Sequence, residues 1–213
     1  MPLHKKETLA DGLVLGIWKI EESEEQFQHI LTPMEFSAAC GQVHAPGRRL
    51  ERCAVRALLR VLTGIQSEIK YEECGRPFIE RQACRLSISH TKGWVAIALH
   101  PSRLPGIDIE HPSPRILRVR EHVFNPSEME SLTEQAGPQD EEVFSTLYWC
   151  AKEAVFKIIG KAVYDYRHGI NIPPFPKAQE GEFPVETPGY QENRVLTVSY
   201  KIEKDFVLAW SLR

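Results

Sequence analysis

Two periodicities alternate along this chain, and they recur in the same order. Residues 106–110, Gly106-Ile107-Asp108-Ile109-Glu110, alternate with period two. That predicts a strand with Ile107 and Ile109 on the core face and Asp108 and Glu110 together on the other. Residues 149–157, Trp149-Cys150-Ala151-Lys152-Glu153-Ala154-Val155-Phe156-Lys157, carry the period of a helix. Its apolar positions, from Trp149 and Ala151 through Ala154, Val155 and Phe156 to Ile158 and Ile159, cover most of the circumference. Glu153, Lys157 and Lys161 form one narrow polar stripe between them. A helix this apolar is expected to be largely buried, with its charged stripe turned to a partner or ligand.

Each pattern has an earlier counterpart. Residues 15–20, Leu15-Gly16-Ile17-Trp18-Lys19-Ile20, match residues 105–110, and residues 52–60, from Arg52 to Arg60, match residues 149–157. Leu31-Thr32-Pro33-Met34-Glu35 matches Phe124-Asn125-Pro126-Ser127-Glu128, in each case a cap residue, a Pro at the first helical position and an acidic first turn. Leu86-Ser87-Ile88-Ser89-His90 matches Leu196-Thr197-Val198-Ser199-Tyr200, and each is followed by a turn and a return strand, residues 94–99 and 206–212. The expected fold is therefore α+β: two similar subdomains, each strand, helix, longer helix and hairpin, related by a pseudo-twofold. An active site is expected in the cleft between them. The turn Pro101-Ser102-Arg103-Leu104-Pro105 sets the boundary, giving lobes 1–103 and 104–213.

Composition narrows the classes. The chain of 213 residues has 42% hydrophobic and 26% charged residues, ordinary globular values. A net charge of -3 gives no electrostatic case for nucleic-acid binding. No apolar run reaches membrane-span length and residues 1–9 lack a signal-peptide core, so a soluble cytoplasmic protein is expected. Five cysteines without C-x-x-C spacing read as reduced, with Cys53, Cys84 and Cys150 in apolar segments as core residues.

The halves differ in chemistry. Where the second has Asp108, Glu110 and Glu153, the first has Trp18, Ile20 and Arg56. An Asp-x-Glu pair is ordinarily a solvated strand face, and a Glu-Lys pair one turn apart is ordinarily a weak surface ion pair. On so apolar a helix, though, three carboxylates beside an ammonium suit a hard divalent cation and phosphate oxygens. In the first half Arg49, Arg52, Arg56 and Arg60 share one helix face. They form either a solvated basic stripe or a grip on a polyanion. His90, with Ser89, Lys92 and the upstream Gly75-Arg76-Pro77-Phe78, adds a second candidate cluster.

Gly75-Arg76-Pro77-Phe78, Leu86-Ser87-Ile88-Ser89-His90-Thr91, Gly106-Ile107-Asp108-Ile109-Glu110 and the block at 149–157 together resemble the 4′-phosphopantetheinyl transferases, in the two-lobed surfactin-synthetase-activating type. The resemblance implies transfer of 4′-phosphopantetheine from coenzyme A to a serine of an apo carrier protein, with release of adenosine 3′,5′-bisphosphate. It implies Mg²⁺ held by Asp108, Glu110 and Glu153, with Glu153 also the base and Lys157 neutralising phosphoryl charge. Ser89 and His90 would contact coenzyme A, with Gly75, Arg76 and Pro77 on its nucleotide side. A family arginine falls at Arg48 or Arg49, the register being open, with Arg49 carried as the coenzyme A contact. The N-terminal lobe would thus hold coenzyme A, and the C-terminal lobe the metal and the carrier.

Two departures stand out: Arg76 replaces a common Lys, and Met34 and Glu35 follow Pro33 where basic residues are frequent. Carrier proteins are acidic, so Arg115 and Arg118, just past the carboxylate strand, are a candidate docking strip, or else an ordinary amphipathic face. The internal pseudo-dimer leads us to expect a monomer. The rival readings are a non-catalytic binder of coenzyme A or carrier, and another Mg²⁺-dependent phosphate enzyme.

Overall fold

The protein is described by a computed structural model covering residues 3–66, 68–80, 83–135, 137, 140–160, 165–191 and 194–213, with Gln135 as backbone only. The chain divides into two compact units, Met1–Arg103 and Leu104–Arg213.

The first unit opens with β1 (Leu3–Thr8) and β2 (Val14–Lys19), followed by α1 (Glu24–Ile30), α2 (Pro33–Cys40) and α3 (Pro46–Thr63). It closes with β3 (Ile69–Tyr71), β4 (Pro77–Ile79), β5 (Arg85–Thr91) and β6 (Trp94–His100). The strands form one antiparallel sheet in the order β1-β2-β6-β5-β4-β3. Its core gathers Ala54, Leu58 and Leu59 of α3 with Trp18, Leu86, Val95 and Ile97 of the sheet and Phe27 of α1.

The second unit begins with β7 (Pro105–Glu110), α4 (Pro114–Val123), α5 (Pro126–Gln135) and α6 (Glu141–Ile159). It ends with β8 (Glu180–Thr187), β9 (Arg194–Ile202) and β10 (Val207–Leu212). The sheet order is β7-β10-β9-β8, so β7 is an edge strand. Leu147, Ala151, Val155 and Ile158 of α6 pack on Val198, Val207 and Ala209.

The α+β class therefore holds, with the repeated patterns visible as structure. The array β2-β6-β5 has the same connectivity as β7-β10-β9: in each, a strand lies beside the return strand of the later hairpin. Both short-helix starts are reciprocal capping boxes. Thr32 Oγ1 accepts from Glu35 N while Glu35 Oε2 accepts from Thr32 N, and Asn125 pairs with Glu128 in the same way. The glycine shared by the two first strands has a packing cause. A Cβ at Gly106 would lie 1.9 Å from Ala154 O of α6, and one at Gly16 would lie 2.8 Å from Leu62 Cδ1 of α3. In each unit the long helix seats directly on strand backbone.

Elements beyond the repeat appear in both units: β1, α1, β3 and β4 in the first, α4 and β8 in the second. The cysteines differ slightly from expectation. Cys40, Cys53 and Cys150 are buried, Cys84 is only half-buried and Cys74 is exposed, all as thiols. Among the described residues no helix is long and apolar enough to cross a membrane.

Candidate active site

The second unit brings the expected chemistry together at the junction of β7 and α6. The glycine at 106 lets α6 approach, and the strand alternation then turns Asp108 toward the helix. Asp108 is only 4% exposed. Lys157 Nζ donates to Asp108 Oδ1 at 2.8 Å and to Ile107 O at 2.7 Å. Glu153, one helical turn before Lys157, is half-buried, and its Oε1 accepts from Tyr166 Oη at 2.9 Å. Burial pushes the Glu153 carboxyl above its ordinary range. The Asp108 charge pushes the same way, while the Tyr166 hydrogen bond and Lys157 pull back. A half-buried carboxyl whose ionisation is made more costly by burial and by a neighbouring carboxylate is a place where a cation is favourable.

Glu110 ends the same strand, half-buried. Asp108 and Glu110 both act on Cys150, whose thiol is pushed well up by burial first and then by these two charges. The two carboxylates thus share a face, as the alternation predicts, but it is the face packed against α6 rather than the one away from the core, while Ile107 and Ile109 are buried outside the main core cluster. Among the described residues, however, no three His, Cys, Asp or Glu side chains stand grouped as metal ligands. The close partners are Asp108, Glu153 and Lys157, with Glu110 farther along the strand. This donor set still fits Mg²⁺, which is commonly bound by one or two carboxylates and completes its shell with water and substrate phosphate. Lys161, the third member of the polar stripe, lies outside the described residues.

Two contributors escaped the pattern reading. Tyr166 lies beyond α6, and nothing in its neighbours marks it as reaching Glu153. Lys152 is fully buried and paired with the equally buried Glu128 at 2.8 Å. It also donates to Val123 O at 3.1 Å and Arg167 O at 3.2 Å, so all three ammonium hydrogens have partners. Glu128 in turn accepts from Asn125 N and, at 2.9 Å, from Ile172 N. The signal was present: Lys152 sits off the polar stripe, on the apolar face.

The first unit carries the other cluster. His90 lies one residue before the end of β5; its Nδ1 lies 3.2 Å from Glu51 Oε2, and the Arg48 guanidinium lies against its ring nitrogens. Arg48 also pairs with Glu51 at 3.1 Å. Arg49 instead pairs with Glu24 of α1 at 2.6 Å. Of the two candidate registers, only Arg48 stands beside His90. Ser89 is buried one residue earlier. Gly75 has φ of +87° in the turn joining β3 to β4, so its role there is conformational. Arg76, in the same turn, sits 3.6 Å from Glu72, and Pro77 opens β4.

The arginine stripe of α3 turns out to be engaged within its own unit. Arg52 and Arg56 both donate to Ala38 O, at 2.9 and 3.2 Å, and Arg60 donates to Ile30 O at 3.0 Å. These are carbonyls of the last turns of α2 and α1, which a helix leaves without internal donors. On α4, Arg115 and Arg118 are exposed while Ile116 is buried, and Arg120 pairs with Glu141.

Residues 105–211, half of the chain, match the 4′-phosphopantetheinyl transferase superfamily. The chain belongs to that superfamily. It is 26% identical over 136 residues to the 4′-phosphopantetheinyl transferase psf-1 of Bacillus pumilus, covering 63% of this chain and 56% of that one. A Haemophilus influenzae protein that carries the family's name provisionally is 29% identical over 143 residues, 62% of this chain and 57% of its own. A phosphopantetheinyl transferase of Thraustochytrium sp. is 30% identical over 131 residues, 54% of this chain and 44% of its own. The matched stretches thus span about half the length of these relatives.

Proposed function

We propose that this protein transfers the 4′-phosphopantetheine arm of coenzyme A to a serine of an apo acyl or peptidyl carrier protein. The observation that carries this reading is the meeting of Asp108, Glu153 and Lys157 at the junction of β7 and α6, inside the segment that matches the superfamily.

In the proposed reaction the serine Oγ attacks the pantetheine-side phosphorus of the coenzyme A pyrophosphate. A new P–O bond forms, the bridging P–O bond breaks, and adenosine 3′,5′-bisphosphate leaves with the bridging oxygen. The serine proton passes to the Glu153 carboxylate, directly or through water. Lys157, paired with Asp108 at 2.8 Å, would neutralise phosphoryl oxygens as charge shifts to the leaving group. Asp108 and Glu153, with Glu110 beside them, would hold Mg²⁺, which when bound supplies further charge neutralisation on the pyrophosphate. On the first unit, His90 and Arg48 are the cationic pair suited to a phosphate of coenzyme A, with Ser89 and the Gly75-Arg76-Pro77 turn as further contacts. Arg115 and Arg118 form the docking strip for the acidic carrier. The chain works as a monomer in the cytoplasm, a compartment that suits its five thiols.

The direct test incubates an apo carrier protein with coenzyme A, Mg²⁺ and this protein, and follows the carrier by intact mass. A phosphopantetheine mass gain that requires Mg²⁺ and is lost in Glu153→Gln is the expected result. Coenzyme A binding without any gain, across fatty-acid, polyketide and peptide carriers, would establish the non-catalytic binder instead.

A further inference from the structure

The segment beyond α6 is anchored with more care than a connecting loop needs. Asp165 Oδ1 accepts from Arg167 N at 3.0 Å and His168 N at 3.2 Å, which closes a turn around Tyr166. Arg167 Nε reaches Phe124 O at 2.9 Å, and Lys152 Nζ holds Arg167 O from inside the core. The Tyr166 ring then lies against two α6 rings, with centroids 6.2 Å from Trp149 and 5.6 Å from Phe156. Lys152 Nζ stands 6.0 Å from the same ring. The backbone and ring of Tyr166 are thus held on every side that these contacts describe, and its hydroxyl is delivered to one atom, Glu153 Oε1.

We infer that Tyr166 is a positioning residue for Glu153: its hydroxyl fixes the carboxylate so that the other oxygen is presented, already oriented, to a divalent cation. A glutamate has three side-chain torsions, and a ligand that must freeze them on binding loses affinity. The buried Lys152–Glu128 pair acts one step further back, because it holds the peptide that carries Tyr166. This inference rests on the Mg²⁺ site proposed above.

Mn²⁺ binding to the full chain, followed by electron paramagnetic resonance without coenzyme A or carrier, reads the inference apart from turnover. Tyr166→Phe keeps the ring and its packing and deletes only the hydroxyl. It is expected to weaken Mn²⁺ binding by about 10-fold or more, the usual effect of losing a partner that orients a metal ligand, with an unchanged melting curve. In a Glu153→Gln background the same change should add almost nothing, since the oriented carboxylate is already gone. Equal affinity of wild type and Tyr166→Phe would overturn the positioning role alone. So would a loss of equal size in both backgrounds, which marks a general structural effect. If wild type itself binds no Mn²⁺, the metal site falls and the inference falls with it.

Discussion

Lys152 and Glu153 are neighbours in sequence with opposite surroundings. Lys152 meets a carboxylate and two carbonyls in the core, whereas Glu153 meets Tyr166 and the field of Asp108. Removing one partner of a fully buried ion pair leaves an uncompensated charge, so Lys152→Met should cost about 3–5 kcal/mol in urea unfolding. The pH dependence follows from Glu128, whose carboxyl burial already pushes upward. A carboxyl with a raised native pKa contributes stability that is lost as pH rises through that value. Without Lys152 to pull it back, Glu128 rises further, so the deficit of Lys152→Met relative to wild type should be larger at about pH 8 than at about pH 5. A deficit that shrinks with pH would mean that Glu128 is not the stranded charge. The adjacent Glu153 could be singled out from its place on a polar stripe. Lys152 was harder to read, because a lysine among apolar residues fits no periodic template until its partner 24 positions earlier is known.

At the scale of the element, the two seats for the long helices make a comparison. At Gly106 a methyl group would meet helix backbone at 1.9 Å, whereas at Gly16 it would meet only the tips of Leu58 and Leu62 at 2.8–2.9 Å. Leucine tips can turn aside and a helix carbonyl cannot. Gly106→Ala is therefore expected to cost more than about 3 kcal/mol and Gly16→Ala about 1–3 kcal/mol, read side by side in denaturant titrations. Only the Gly106 change should also displace Lys157 and Glu153. Pattern reading found both glycines because they recur at matching places, but the reason for them lies in contacts between distant segments. The α3 stripe shows the opposite case. Its spacing was plain in the sequence, yet spacing does not say whether arginines face water, a ligand or other helices. The structure spends them on the ends of α1 and α2. Changing Arg52 and Arg56 together to Met should thus lower stability by about 1.5–3 kcal/mol while leaving the KM for coenzyme A nearly unaltered. A KM rise with unchanged stability would return the stripe to ligand binding.

At the scale of the molecule, the two units share a strand-and-hairpin array but not a chemistry: the carboxylates lie in one and the His90–Arg48–Glu51 cluster in the other. The shared array was legible because it is written twice, so weak local signals supported one another. The added strands and helices are each written once, and β3 and β4 are only three residues long. The exposed arginines of α4 belong to this single-copy material. Reversing Arg115 and Arg118 to Glu should raise the KM for an acidic carrier at least several-fold in steady-state transfer assays, most strongly at low salt, and leave that for coenzyme A alone. Unchanged carrier kinetics would remove α4 from the docking surface.

The neighbouring side chains at 152 and 153 also set a limit on how this helix can change. Successive residues of a helix are turned by about 100°. Losing one residue early in α6 would therefore carry the Glu153 carboxylate into the pocket built around Glu128, and gaining one would carry the Lys152 ammonium into the place of Glu153. The loss sets two carboxylates against each other in the core, and the gain takes the carboxylate away from Asp108 and Lys157. Folding and chemistry are locked to the same phase of one helix, so length variation can accumulate before and after α6 but not within it.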